Sequence, residues 1–116
     1  MKKRFKISNN ITKEQLINYG FVYHYPDKYI YRIPCYKYKK YSLVYLEFII
    51  LNENEDKNKI NKRIMIINCK DRNDNFYFPF YGNYFNKNEV LNKVNRKLKI
   101  IIKDMVKKQI IEERKI

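Results

Sequence analysis

The side chains able to do chemistry in this chain are few and scattered. His24 is the single histidine and stands between Tyr23 and Tyr25. One imidazole cannot build a His-rich metal site, and the chain has neither an H-E-x-x-H motif nor a Cys/His zinc spacing. Ser8 and Ser42 are the only serines, and neither sits in a glycine-flanked nucleophile elbow. With two glycines in all, there is no Walker loop and no G-x-G-x-x-G cradle for phosphate. Glu53, Glu55, Asp56, Asp71 and Asp74 are the acids that could hold Mg²⁺ for a nuclease, but all fall in turn-like stretches. Asp71-Arg72-Asn73-Asp74-Asn75 is similar to the start of a calcium loop, yet it lacks the loop glycine and the closing glutamate. These residues predict a protein that is not an enzyme and carries no metal or cofactor.

Charge is the stronger signal. Lysines and arginines outnumber acids 26 to 12, for a formal net charge of +14. Such a surface concentrates polyanions around itself and binds phosphate backbones by releasing their counterions. The Lys, Ile, Asn and Tyr bias also fits an AT-rich coding genome, so part of the excess can be mutational in origin. Three clusters stand out. Lys2, Lys3, Arg4 and Lys6 suggest a basic N-terminal arm over residues 1–10. Lys37, Lys39 and Lys40 interleave with Tyr36, Tyr38 and Tyr41. Lys93, Arg96, Lys97, Lys99, Lys103 and Lys107 fall on one arc of a helix at 100° per residue. Positive grooves with aromatic platforms bind single-stranded nucleic acid, and lysine in preference to arginine favours backbone attraction over base reading. The same features fit a solvated helix face and a tyrosine-rich sheet.

The elements positioning these clusters are readable from local signals. The chain is of single-domain size, and 45% hydrophobic residues can fill one core. Thr12 and Gln15 match a capping box, Ile11 and Leu16 a hydrophobic staple, and Gly20 a C-terminal stop, which predicts a short helix over 13–19. Residues 21–25 and 29–34 read as a hairpin around Pro26-Asp27-Lys28. Cys35 to Tyr41 reads as a connector or strand edge, and Ser42–Asn52 as a central strand. Asn52–Lys59 reads as a turn, Ile64–Cys69 as a strand, Asp71–Asn75 as a turn, and Phe76–Tyr81 as an edge strand marked by Pro79. Asn86 and Glu89 suggest the cap of a long helix whose stripe is Leu91, Val94, Leu98, Ile101 and Met105. The expected fold is α+β: a short N-terminal helix, a four-stranded antiparallel meander sheet and a long C-terminal helix, both helices on one face.

The order helix, antiparallel strands, helix resembles that of double-stranded-RNA-binding domains, with Lys93, Arg96 and Lys97 at the start of the second helix. The dense lysine–alanine motif of that family is missing, and the sheet needs an extra strand. No apolar h-region follows the basic N-terminus, and the longest apolar run, Leu43–Leu51, is too short to span a bilayer and contains Glu47, so a cytoplasmic protein is expected. Cys35 and Cys69 have no C-x-x-C spacing and read as plain thiols.

Two stretches carry a family resemblance: Ile11-Thr12-Lys13-Glu14-Gln15-Leu16-Ile17-Asn18-Tyr19-Gly20-Phe21, and Asp71 to Tyr81 followed by Asn88-Glu89-Val90-Leu91-Asn92-Lys93-Val94. They resemble small phage and mobile-element proteins of low-GC Gram-positive bacteria, a class that includes anti-CRISPR proteins. The resemblance implies an inhibitor of a host CRISPR-Cas effector. Because the chain is basic, such an inhibitor would engage guide RNA, target nucleic acid or an acidic protein face. A stand-alone nucleic-acid binder of the phage cycle fits the same charge. So does an oligomerising protein, a homodimer through its C-terminal helix, with Ile100 and Ile111 on the otherwise basic arc.

Overall fold

Two eleven-residue strands rich in apolar and aromatic residues build the centre of the molecule. The computed structural model describes residues 3–8, 11–25, 28–51, 64–82 and 89–115. The elements in chain order are β1 (Lys3–Ile7), α1 (Lys13–Tyr19), β2 (Val22–His24), β3 (Lys28–Tyr38), β4 (Tyr41–Leu51), β5 (Ile64–Asp71), a 3₁₀ turn (Phe78–Phe80), α2 (Glu89–Lys107) and β6 (Ile111–Lys115). The fold is α+β with one six-stranded antiparallel sheet in the order β2-β3-β4-β5-β1-β6.

Val44, Leu46, Phe48 and Ile50 of β4 are buried, as are Met65, Ile67 and Cys69 of β5 and Phe5 and Ile7 of β1. Register aligns them: Phe48 lies opposite Tyr31 and Ile67, and Met65 opposite Phe5 and Ile50. Period-two alternation therefore gathers one face of the sheet into the core. Leu16 and Phe21 around α1, and Val94, Leu98, Ile101 and Met105 of α2, join the same cluster. Both helices thus cover that face.

The β2–β5 meander is present as expected, and two further strands extend the four-stranded expectation. Lys3–Ile7, read from the sequence as part of a basic arm, is a strand between β5 and β6, with Lys3 opposite Ile67 and Arg4 opposite Ile66. Phe5 and Ile7 anchor it by burial. Chain order here begins with a strand, which separates the fold further from the double-stranded-RNA-binding arrangement. Phe76–Tyr81 is not a strand. Phe76 makes a single bridge to Lys70, and Pro79, with fixed φ and no N–H, sits in the first turn of the 3₁₀ segment. Of the two readings of Cys35–Tyr41, connector or strand edge, the strand holds: β3 runs on to Tyr38 and β4 starts at Tyr41, joined by a two-residue turn in which Lys39 has φ 55°. Pro34 is tolerated in β3 because β2 pairs only as far as Ile30, which leaves the strand's other side free among the described residues.

Helix ends follow from caps. Thr12 Oγ1 accepts from Gln15 N at 3.1 Å while Gln15 Oε1 accepts from Thr12 N at 2.8 Å, completing the expected box. At the C-terminus of α2, Ile110 N donates to Met105 O and Gln109 N to Val106 O. Gln109 takes φ 61° and Ile110 is buried. This is a Schellman stop with glutamine in the place glycine usually fills. The turn at 52–59 and the Asn86 cap lie outside the described residues.

Candidate functional site

A helix that buries one stripe must present the rest of its circumference, and in α2 that remainder is cationic. Val94, Leu98, Ile101 and Met105 point into the core with Leu91 packed at its edge. The six cations expected on the opposite arc divide between two flanks. Arg96, Lys99 and Lys103 line a groove of about 950 Å³ together with Asn92 and Asn95, over a floor of Phe5, Leu98 and Ile102. Steps of three and four along the helix bring these side chains into one row. Among the described residues no carboxylate lines the groove and Arg96, Lys99 and Lys103 form no ion pair.

The other flank faces β3. Lys93 Nζ lies 5.3 Å from the centre of the Tyr36 ring. Lys97 acts on the Cys35 thiol, whose pKa burial nevertheless pushes up to about 11. That thiol stays protonated near neutrality, and neither Cys35 nor Cys69 is in a disulfide. Lys107 is exposed in the last helical turn, where a cation favours the negative end of the helix dipole. Ile100 is 60% exposed on this cationic crest. Ile111, expected beside it, is instead buried in β6. The helix ends before it, so the apolar pair suggested for self-association does not exist.

Lys37, Lys39 and Lys40 sit exposed at the β3–β4 hairpin end, beyond the buried Val44 of β4. Lys39 Nζ is 5.6 Å from the Tyr38 ring centre, and Arg72, a cation not singled out in the sequence, stands 5.7 Å from the Tyr41 ring. Arg72 follows β5 in a turn set by Asp71, whose Oδ1 accepts from the backbone N–H groups of Asn73 and Asn75. Lys3 and Arg4 belong to β1, their side chains lying outside what is described, and Lys2 lies outside the described residues.

The acids weighed as metal ligands are engaged elsewhere or undescribed. Asp74 Oδ1 is 3.6 Å from Arg32 Nη1 and 3.8 Å from Lys70 Nζ. Glu53, Glu55 and Asp56 lie outside the described residues. Among the described residues no three His, Cys, Asp or Glu side chains cluster as metal ligands, and His24 is exposed on the edge strand β2.

The tyrosines divide by position. Tyr29 is buried, and Tyr19, Tyr31, Tyr36, Tyr77 and Tyr81 pack partly against the core. Tyr23, Tyr25, Tyr38 and Tyr41 are exposed. Asn92, Asn95, Arg72 and Arg32 escaped sequence reading. The two asparagines carried a signal in their three-residue spacing beside Arg96 and Lys99, whereas Arg72 and Arg32 gain meaning only from strand register. No helix among the described residues is long and apolar enough to cross a membrane. No family model, curated protein or solved structure matches the chain.

Proposed function

We propose that this protein is a non-enzymatic binder of nucleic acid, free or within a nucleoprotein complex, and that α2 carries the contact. The observation behind this reading is the wall formed by Arg96, Lys99 and Lys103, with the amides of Asn92 and Asn95 beside it and no carboxylate in the lining among the described residues. Three cations in a row, with no ion pair among the described residues, attract a line of phosphates, and amides can add hydrogen bonds to phosphate or sugar oxygens. Lysine dominates, so the interaction is sensitive to salt and weakly selective for sequence.

Binding to labelled DNA and RNA, single- and double-stranded, across a salt series tests the reading. Arg96→Glu, Lys99→Glu and Lys103→Glu combined should weaken binding by about a hundredfold or more at low salt. All three side chains are half-buried at most, which protects the fold from the change. Undiminished affinity in the triple variant sinks the proposal.

A narrower form is an anti-CRISPR role in the cytoplasm of a bacterial host, with the groove on the nucleic acid of a CRISPR-Cas effector. Its support is the sequence resemblance together with the basic groove. It requires the same triple variant, with Lys107→Glu added, to lose inhibition of the effector. A stand-alone role in the phage cycle predicts nucleic-acid binding without such inhibition.

A further inference from the structure

The end of the β3–β4 hairpin presents two aromatic rings that the core does not use. Tyr38 and Tyr41 are paired across the two-residue turn, and they remain 58% and 53% exposed. Directly opposed tyrosines in a hairpin commonly spend their faces on each other. Here neither ring meets another aromatic ring among the described residues. Each ring instead has a cation near it, Lys39 at Tyr38 and Arg72 at Tyr41, and Lys37 and Lys40 stand exposed beside them.

The nearby acids form no ion pair with Lys39 or Arg72 among the described residues. Asp71 holds its own turn through two backbone N–H groups, and Asp74 lies between Arg32 and Lys70. Tyr36, two residues before Tyr38 on β3, lies under Lys93 of α2. Lys93, on the β3 flank of α2, therefore extends the hairpin's positive charge, while Arg96, Lys99 and Lys103 lie on the helix's other flank.

We infer that the hairpin end is a stacking site for unpaired bases, which makes single-stranded nucleic acid the preferred polymer. Exposed rings give flat apolar faces that accept any base, and the cations beside them neutralise the phosphates on either side of a stacked base. A duplex keeps its bases stacked on one another and cannot use these rings. An acidic protein segment meets the charge but has no base to stack. The inference rests on the proposed nucleic-acid binding and adds the class of polymer.

The test compares an oligothymidylate and an oligouridylate of about fifteen nucleotides with a duplex of equal phosphate number and with polyglutamate. Tyr38→Ala and Tyr41→Ala together should weaken single-strand binding about tenfold or more, and change duplex binding by less than about twofold. Tyr38→Phe and Tyr41→Phe together keep the ring faces and should restore single-strand affinity, whereas leucine at both positions should not. Equal single-strand affinity in the alanine variant overturns the inference. So does an equal loss on duplex, a leucine variant as good as phenylalanine, or polyglutamate bound as tightly as the oligonucleotides. These outcomes leave α2 binding intact. Failure of the parent protein to bind any nucleic acid at low salt removes the proposed function itself.

Discussion

The hydroxyl of Tyr19 on α1 donates to Asp104 Oδ2 on α2 at 2.8 Å, joining helices whose residues are 85 apart in sequence. Lys108 completes the link, with Nζ 3.2 Å from the same oxygen and 5.2 Å from the centre of the Tyr19 ring. Burial, then the bond to Asp104, holds the phenol well above its ordinary pKa, so it stays a donor. The Tyr19 hydrogen bond and then that of Lys108 hold the Asp104 carboxyl below its usual range. A carboxyl depressed in the folded state contributes stability above its unfolded pKa of about 4, and that contribution fades as pH falls through the folded value.

Tyr19→Phe keeps the ring contacts with Phe21 and Tyr31 and removes only the hydroxyl. Its Tm should drop by a few degrees near neutrality. The gap from the parent should narrow as pH is lowered past about 4. A constant gap from pH 7 to pH 3 in thermal melts would contradict the pairing.

Gly20 ends α1 at φ 131°, where side chains are rarely tolerated. A methyl group there would lie 2.9 Å from Cε1 and 3.1 Å from Cδ1 of Tyr31. That ring is itself held against Tyr19, Phe21 and Phe48, so it has little room to yield. Gly20→Ala should cost about 1–3 kcal/mol by urea unfolding, from strain and clash together. A loss under about 0.5 kcal/mol would show that the turn relaxes.

Both Gly20 and the Thr12–Gln15 box were legible because a cap is a local event among a few neighbouring residues. β4 was legible because a long apolar run, broken only by Glu47 and flanked by polar residues, has few other solutions. The strand β1 escaped although Phe5 and Ile7 alternate correctly, because the charges around them suggested a solvated arm. Burial of two side chains outweighed those charges. β6 escaped because α2 stops on Gln109 in a left-handed turn, with no glycine to mark it. Phe76–Tyr81 had strand composition, but β5 offers it one bridge and a proline then tightens the chain. In the site, 100° periodicity gave the cationic arc. Its division into a groove wall and a β3 flank depends on Phe5 and Tyr36, which reach α2 only through tertiary packing.

Among the described residues Glu47 is the one buried charged residue, its side chain 8% exposed on β4. Lys70 Nζ stands 3.2 Å from its Oε1, yet that oxygen accepts no well-aligned hydrogen bond, so the contact is an ion pair of imperfect geometry. The distance is the better guide to the interaction, since charge attraction is far less directional than hydrogen bonding. Lys70→Met leaves the carboxylate without its nearest cation and should cost about 2–4 kcal/mol, the partial exposure of Lys70 placing it toward the low end for buried pairs. Glu47→Gln with Lys70→Met should recover part of that loss. A double variant as unstable as the sum of the two single variants would show that the pair is not coupled.

Cations that touch phosphates leave a signature in the salt dependence of binding, and the two flanks of α2 should differ in it. Lys99 and Lys103 face the groove without ion pairs among the described residues, whereas Lys93 is held over the Tyr36 ring. Neutralising one phosphate contact reduces the slope of log affinity against log salt by about one. Lys99→Gln and Lys103→Gln should each show that reduction on duplex DNA, where the hairpin rings contribute nothing. Lys93→Gln should change the slope by less, since its charge lies on the β3 side of the helix. Equal reductions from all three substitutions would mean that the polymer lies along the crest at Ile100, with the groove beside it unused.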